Sequence, residues 1–116
     1  MSNPRRGDVC LVDLDPTRGP EMKKTRMVVV ISSDAIGVLP IKLGVPITEW
    51  QPSFANHLWH VRLEPDSRNG LTKVSALDVL QMRALAVERF IKRKGHVTGA
   101  VLGEVTAALA AIVEHE

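Results

Sequence analysis

Short apolar runs separated by turn-forming segments fill most of the chain, and a longer helical pattern follows them. Residues 8–14 (DVCLVDL) are rich in Val and Leu, which predicts a strand. The segment 15–20 is dense in Asp, Pro and Gly, so the strand must end there. Residues 28–31 (VVVI) are all β-branched, which is typical of a central strand buried on both faces.

Further short strands are predicted downstream. Residues 41–47 contain one, and Gly44 within it is expected to mark a bulge. Residues 57–63 alternate in their second half, which predicts a strand with two different faces. One face holds Trp59, Val61 and Leu63, and the other holds His60, Arg62 and Glu64. Two more strands are expected within 71–77 and 81–85.

The last third of the chain moves from strand to helix. Residues 87–90 predict one helical turn, and the basic stretch 90–97 (FIKRKGHV) predicts a last, exposed strand. Thr98 can cap the helix that follows. Its apolar positions recur at spacings of three and four, and they are Val101, Leu102, Val105, Leu109, Ile112 and Val113. Strands followed by one helix predict an α+β fold, a twisted antiparallel sheet or small barrel with a C-terminal helix packed on it.

Length and composition narrow the class of protein. With 116 residues, the chain is expected to form a single domain, 1–116. The net charge of +2 is too small for a histone-like DNA coat, yet it allows a local patch that binds a polyanion. The lone cysteine, Cys10, excludes an intramolecular disulfide framework and suits the cytoplasm. No signal-peptide core or membrane-spanning run is visible, so a cytoplasmic protein is expected.

Several chemistries lack support in the sequence. His57 and His60 would lie on opposite faces of a strand, which makes a poor chelate, and neither Cys-x-x-Cys nor His-Glu-x-x-His occurs. Cys10 lies in the middle of a strand, where a buried cysteine acts as a small hydrophobe. The glycines are scattered and form no phosphate loop. We therefore predict no metal and no cofactor.

Aromatic residues are scarce, at 3% of the chain with no Tyr. Surfaces on which nucleic-acid bases could stack are limited to four side chains. They are Trp50, Phe54, Trp59 and Phe90.

The polar loop 15–26 is long for a hairpin connection, which usually takes about two to five residues. It carries Glu21, Lys23, Lys24 and Arg26 between two well-defined strands. The pattern alone slightly favours a solvated loop whose charges serve solubility. A functional loop is the alternative, because long loops in compact domains tend to be functional or mobile.

An ordered series of motifs runs along nearly the whole chain, from residue 6 to about residue 112. The motifs are RGDV (6–9), DLDPTRGPE (13–21), Arg26, VVVIS (28–32), VPIT (45–48), and Gly70-Leu71 through Ser75 to Gln81-Met82-Arg83. Their order and spacing resemble the MazF/PemK (Kid) family of toxin endoribonucleases.

This resemblance implies a fold, an activity and partners. Members have an SH3-like or gyrase-poison-like barrel with a C-terminal helix, and they form homodimers. They cut single-stranded RNA at short preferred sequences, without a metal and without the ribosome. A small MazE-like antitoxin holds them inactive with an acidic, partly disordered tail that lies along the RNA groove.

The resemblance also implies site residues. The family's catalytic arginine and threonine fall on Arg26 and Thr48. A guanidinium suits the phosphorane charge that forms when a 2′-hydroxyl attacks the phosphate. Glu21 is the nearest carboxylate in sequence that could act as general base. The expected RNA-binding residues are Arg18, Lys23, Lys24, Gln81 and Arg83.

Simpler structural roles stay open for some of these residues. Thr48 could cap the end of a strand. Arg83 could form a surface ion pair with Glu88 or Asp78. Gln81, like Ser75, is expected to serve as a structural hydrogen-bonding group more than as a chemical one.

The chain departs from the family pattern at some positions. Met27 stands where members usually have Pro after the arginine, and Lys23-Lys24 replace small residues or Gly. Kid-like members carry an Arg and an Asp shortly before Gln81, where this chain has Asp78 and Leu80. That leaves the Arg26/Thr48 set and keeps the assignment of acid and base open.

Two other functions compete with an endoribonuclease. A gyrase poison of related fold would act by protein contact, but such poisons share an aromatic, glycine-containing C-terminus, whereas this chain ends in VEHE. A catalytically inactive RNA-binding relative is the second alternative. Arg26 and Thr48 argue against it, and Met27 keeps it open.

Overall fold

The chain forms seven strands followed by a C-terminal helix within residues 2–115, the part that this computed structural model describes. The elements are β1 (Asp8–Asp13), β2 (Thr25–Val30), β3 (Ile41–Glu49), β4 (His60–Leu63), β5 (Ser75–Asp78), β6 (Arg83–Ala86), β7 (Phe90–His96) and α1 (Gly99–Ile112). Short 3-10 turns occur at Asp34–Ile36, Pro52–Asn56, Val79–Gln81 and Val87–Arg89. The predicted domain 1–116 also includes Met1 and Glu116, which lie outside the described residues.

The strands form one antiparallel sheet in the order β4-β5-β3-β2-β1-β7, and β6 also pairs with β3. The nine-residue strand β3 joins the two halves of the sheet, because its partners change along its length. Its first part pairs with β6, its middle with β2, and its last residues with β5. The predicted α+β class, an antiparallel sheet with a C-terminal helix, is confirmed.

Apolar side chains cover both faces of β2, as the β-branched run predicted. Val28 and Val30 pack in one buried cluster, and Val29 packs in the other. The first cluster also contains Cys10, Val12, Leu14, Leu85 and Phe90. The second lies under α1, whose buried residues are Leu102, Val105 and Ala108. Burying each large aliphatic side chain stabilises the fold by about 1.5–3 kcal/mol.

The helix begins as the sequence predicts. The Thr98 hydroxyl accepts a hydrogen bond from the backbone N–H of Val101 at 3.3 Å, which satisfies one free donor of the first turn. Among the described residues, α1 is too short to cross a membrane, and no other helix has the length and apolarity to do so.

The predicted bulge at Gly44 is wrong. The register of β3 against β2 and β6 continues through this residue without a shift. A Cβ at Gly44 would lie 2.4 Å from Cγ1 of Val28 and 2.8 Å from Cδ1 of Leu85. The glycine is therefore explained by close packing of the strand against these two side chains.

The prediction that His57 and His60 lie on opposite faces of one strand is also wrong. β4 begins at His60, and His57 instead ends the 3-10 turn Pro52–Asn56. A separate turn at residues 58–59 lies between the two histidines, and their Nδ1 atoms are 3.0 Å apart. The predicted alternation holds within β4, where Val61 and Leu63 are buried and Arg62 is exposed.

Two other predicted strands are shifted. The strand expected within 71–77 begins only at Ser75, as β5, since residues 71–74 form bends and irregular backbone. The one expected within 81–85 begins at Arg83, because Gln81 belongs to a 3-10 turn.

Cys10 is buried in the sheet, as predicted. Burial raises the pKa of its thiol to about 11, the Asp8 carboxylate adds to the rise, and Arg93 opposes it. The thiol therefore stays protonated at neutral pH and does not act as a nucleophile.

Candidate functional site

Arg26 and Thr48 line one opening, just beyond the last paired residues of β2 and β3. The register pairs Val30 with Gly44, Val29 with Val45 and Val28 with Pro46. Arg26 and Thr48 each lie two residues beyond the last of these pairs, where the two strands are no longer paired. Because side chains alternate along a strand, both lie on the face that carries Val28 and Pro46.

The pairing of β2 with β3 ends at Val28 and Pro46, while β3 continues and pairs with β5 along its other edge. Beyond Pro46 its residues pair with β5, with Ile47 opposite Leu77 and Thr48 opposite Ala76. An open groove of about 500 Å³ lies at this point, and we call it the Arg26–Thr48 groove. It is lined by Leu11, Thr25, Arg26, Met27, Ile47, Thr48, Glu49, Gly70, Leu71, Thr72, Lys73, Ser75 and Lys94.

The guanidinium of Arg26 has an unused donor. Its Nε is buried and has no hydrogen-bond partner in the described part of the chain. The three ion pairs found among residues 2–115 do not include Arg26. Arg26 as a whole is only half-buried and lines the groove, so its guanidinium can pair with an anion bound there.

The long loop between β1 and β2 is held by side chains from the other end of the sheet. Arg83 donates from Nη1 to the carbonyl of Leu14 at 3.2 Å, and Arg89 donates from Nη1 to the carbonyl of Asp13 at 3.1 Å. Gln81 accepts from the backbone N–H of Met22 at 2.7 Å through Oε1. The ends of the loop are therefore fixed against the sheet.

These contacts give Gln81 and Arg83 structural roles, while the RNA contacts predicted for both residues stay predictions. Gln81 is a structural hydrogen-bonding group, since its Nε2 also donates to Oδ2 of Asp78 at 3.3 Å. The ion pair considered for Arg83 is wrong: within the described residues its guanidinium pairs with neither Glu88 nor Asp78. It holds the loop instead.

Glu21 does not line the Arg26–Thr48 groove. Its carboxylate accepts from the backbone N–H of Arg18 at 2.7 Å. It borders a second cavity of about 400 Å³, lined by Leu14, Pro20, Glu21, Met22, Pro46, Leu80, Gln81, Met82 and Arg83. The two openings are neighbours, since Pro46 and Thr48 are two residues apart on the same face of β3.

Comparison with known proteins places the chain in a family. Residues 5–113 match the family described as PemK-like, MazF-like toxin of type II toxin–antitoxin systems. The chain belongs to this MazF/PemK toxin family. Endoribonuclease MazF9 of Mycobacterium tuberculosis is 32% identical over 109 residues, which cover 90% of this chain and 92% of that protein. The predicted class, a MazF-like toxin endoribonuclease, is confirmed.

Solved structures agree with the MazF-like fold. MazF from Deinococcus radiodurans gives a TM-score of 0.80 at 21% identity, over 98% of this chain and 99% of that chain. An endoribonuclease from a mycobacterial species, solved in complex with its cognate antitoxin, gives a TM-score of 0.77 at 20% identity, over 98% of each chain.

The remaining predicted RNA-binding cations of this MazF-like toxin lie on the loop surface. Arg18, Lys23 and Lys24 are exposed, and none of them lines either opening. Lys24 adopts φ +67°, and its backbone N–H donates to Oδ1 of Asp15 at 3.0 Å. A left-handed conformation costs a non-glycine residue about 1 kcal/mol, which this hydrogen bond offsets.

The toxin's groove also contains charged residues that sequence reasoning missed. Lys73, Lys94 and Glu49 line it beside Arg26 and Thr48. The basic stretch 90–97 could have indicated that Lys94 binds an anion. No local pattern in the sequence pointed to Lys73 or Glu49. Both lysines reach the groove because the turn 66–70 packs against β7, where the backbone N–H of His96 donates to the carbonyl of Arg68 at 2.9 Å.

Proposed function

We propose that this MazF-like toxin cleaves single-stranded RNA at specific sequences by attack of a 2′-hydroxyl, without a metal ion. The observation that carries the proposal is that Arg26, which forms no ion pair within the described residues, lines one open groove together with Thr48. An RNA phosphate supplies the anion that this arginine lacks.

In the proposed reaction, the 2′ oxygen bonds to phosphorus and the bond to the 5′ oxygen breaks. Arg26 donates to the non-bridging phosphate oxygens and stabilises the charge of the phosphorane. Thr48 donates to the same phosphate or orients the 2′-hydroxyl. A general base takes the 2′ proton, and a general acid delivers a proton to the leaving 5′ oxygen.

Two carboxylates are candidates for the general base. Glu21 was proposed from the sequence, and it lies at the neighbouring opening on the long loop. Glu49 lines the Arg26–Thr48 groove itself and follows Thr48 directly in β3. The placement of Glu49 makes it the candidate that the structure adds.

The residues of the groove also support a reaction without a metal. Within residues 2–115, no three His, Cys, Asp or Glu side chains come together in a way that could hold a metal ion. Stabilisation of the phosphorane by a guanidinium and removal of a proton by a side chain are sufficient for 2′-hydroxyl attack.

Cleavage in the presence of EDTA tests this proposal. Incubating the toxin with a long RNA and EDTA should give defined cuts, and mapping the new 5′ ends should show one short recognised sequence. A strict requirement for magnesium would contradict the metal-free mechanism. Intact RNA together with inhibition of DNA gyrase would instead support the poison alternative.

We also propose an antitoxin, a homodimer and a cytoplasmic location for this toxin. The similar mycobacterial endoribonuclease and Deinococcus MazF were each solved with an antitoxin. Lys73 and Lys94 line the groove with positive charge. This charge can attract the acidic tail of a MazE-like antitoxin as well as RNA. A homodimer with two-fold symmetry would bring two copies of the basic loop together on one RNA.

Lys23 and Lys24 are expected to contact the RNA backbone. Each phosphate neutralised on a single strand contributes about −0.7 to the slope of log affinity against log salt concentration. Replacing both lysines with alanine should therefore flatten the slope by up to roughly 1.4 units and leave the cleaved sequence unchanged. Titration of a 2′-deoxy-substituted, non-cleavable oligonucleotide at three salt concentrations measures the slope.

The same titration decides whether the loop lysines contact RNA or are only solvated. Two solvated lysines without RNA contacts would leave the slope unaltered. A changed cleavage sequence would show that the lysines read bases.

A further inference from the structure

Five rings form a connected cluster on the segment from Trp50 to His60. The rings of Phe54 and His60 are stacked at 3.7 Å, and those of His57 and Trp59 are stacked at 4.2 Å. Trp50 meets Phe54 edge-on at 5.7 Å. Three of the four aromatic residues of the chain, and both of its tryptophans, are therefore gathered at one place.

This ring cluster is not part of either apolar core. The buried clusters among the described residues contain Phe90 but none of the five rings. Trp50, Phe54, His57 and Trp59 all keep part of their surface in solvent. An exposed set of flat rings offers faces on which another planar group can stack.

The cluster lies beside the Arg26–Thr48 groove. Trp50 follows Thr48 by two residues, and its backbone N–H donates to the carbonyl of Val74 at 3.1 Å, which continues the β3–β5 ladder. Trp50 and Thr48 therefore share a face of the sheet. On that same face, the guanidinium of Arg62 lies 5.4 Å above the Trp50 ring.

The strand register sets the spacing between Thr48 and Arg62. Ala76 of β5 pairs with Thr48 on one side and with Arg62 on the other. With strands about 4.8 Å apart, the two Cα atoms are about 10 Å apart across the sheet. Ala76 itself is fully buried between them. The separation of about 10 Å allows one RNA strand to reach both positions with neighbouring nucleotides.

Contacts within the cluster hold its rings in place. Nδ1 of His57 lies 3.0 Å from Nδ1 of His60, and Nε2 of His60 lies 3.6 Å from Oδ2 of Asp78. Burial lowers the pKa of His60, the charge of His57 adds to this effect, and Asp78 opposes it. A neutral His60 can accept a hydrogen bond from His57, so the two stacks form one fixed surface.

We propose that the ring cluster from Trp50 to His60 is a nucleobase-binding subsite, which stacks an unpaired RNA base next to the cleaved position while Arg62 contacts a neighbouring phosphate. The inference rests on the proposed function and deepens it by naming where sequence preference arises. Stacking holds a base that has left its own stack, and the polar edge of His57 adds a hydrogen-bonding group for choosing among bases.

Intrinsic fluorescence offers a direct test, since both tryptophans of the chain lie in the cluster. Titrating the wild-type toxin with a 2′-deoxy-substituted, non-cleavable oligonucleotide that contains the cleaved sequence should quench the tryptophan emission. Removing the base at one position beside the cleavage site, as an abasic nucleotide, should abolish most of the quench. Abasic nucleotides far from the site should leave it unchanged.

Variants at Phe54 separate stacking from folding. Phe54→Leu keeps an apolar side chain but removes the ring, and it should weaken oligonucleotide binding roughly tenfold or more. Phe54→Tyr should retain wild-type binding. Leu58→Ala is the matched control, because Leu58 is 57% exposed in the same segment and takes no part in the ring contacts.

The outcomes distinguish this inference from the proposed function. If the toxin cleaves RNA but no abasic position changes the quench, or if Phe54→Leu binds as well as the wild type, the subsite is wrong and the cleavage proposal stands. Quenching by an acidic antitoxin peptide but not by the oligonucleotide would assign the cluster to the antitoxin and overturn the inference. If RNA is not cleaved, the proposed function fails, and the inference fails with it, because it names a base next to the cleaved position.

Discussion

Replacing Arg26 with alanine is expected to lower the rate of RNA cleavage by about a hundredfold or more. Its guanidinium is the group at the Arg26–Thr48 groove with an unpaired buried donor, and a phosphorane needs such a donor most at the transition state. The residue holds no ion pair in the described structure, so its loss should leave the fold intact. Single-turnover cleavage of a short RNA that contains the recognised sequence measures the effect.

Two further variants complete this test. Arg26→Lys keeps the positive charge but loses the planar fork of donors, and its rate should fall between those of the alanine variant and the wild type. Arg6→Ala is the matched control, because Arg6 is an exposed arginine that borders neither opening. A folded Arg26→Ala protein that cleaves at nearly the wild-type rate would remove Arg26 from the mechanism.

Replacing Gly95 with alanine is expected to destabilise the fold by about 1–3 kcal/mol or more. The added Cβ would lie 2.1 Å from the backbone oxygen of Arg68 and 2.8 Å from the backbone carbon of Asn69. Backbone atoms cannot turn away as a side chain can, so the turn 66–70 must move off β7. The urea midpoint, followed by circular dichroism, measures the loss of stability.

A second glycine provides the control. Gly103 lies in α1, and a Cβ there would meet nothing within 4 Å. Gly103→Ala should therefore leave the midpoint unchanged or raise it, since alanine favours a helix. The free energy of unfolding should rise by at most about 0.5–1 kcal/mol. Equal midpoints for Gly95→Ala and the wild type would show that the turn does not pack on β7 as described.

Displacing this turn should also affect the groove. Gly70 ends the turn with φ +71°, and its Cβ position would lie 2.6 Å from the backbone oxygen of Lys94. The contact between turn and strand brings Lys73 and Lys94 to the same opening. Residual folded Gly95→Ala protein should therefore bind RNA more weakly than the wild type.

Much of the architecture was predictable from local patterns. The β-branched run around Val29 predicts a strand covered on both faces because such side chains pack well on a pleated sheet. The cap at Thr98 and the apolar spacing after it predict α1, since both depend only on residues within a few positions. The order of strands and helix then indicates the fold class.

The positions of histidines and glycines show where local patterns fail. Alternation predicted opposite faces for His57 and His60, but residues 58–59 form a turn before β4, and the two rings come together. Gly44 suggested a bulge, and the actual reason is the approach of Val28 and Leu85 from two other strands. Neither cause is visible within the segment itself.

For the functional site, the sequence by itself determined the residue types and the order of the motifs, and these identified Arg26 and Thr48 through the family resemblance. Only the tertiary structure decided which groups meet: the β2–β3 pairing ends at Val28 and Pro46, and Arg26 and Thr48 line the groove just beyond that end. It also placed Lys73 and Lys94 in that groove and Glu21 outside it. The physical reason is that strand register and turn packing depend on contacts between distant segments, which local hydrophobic patterns do not encode.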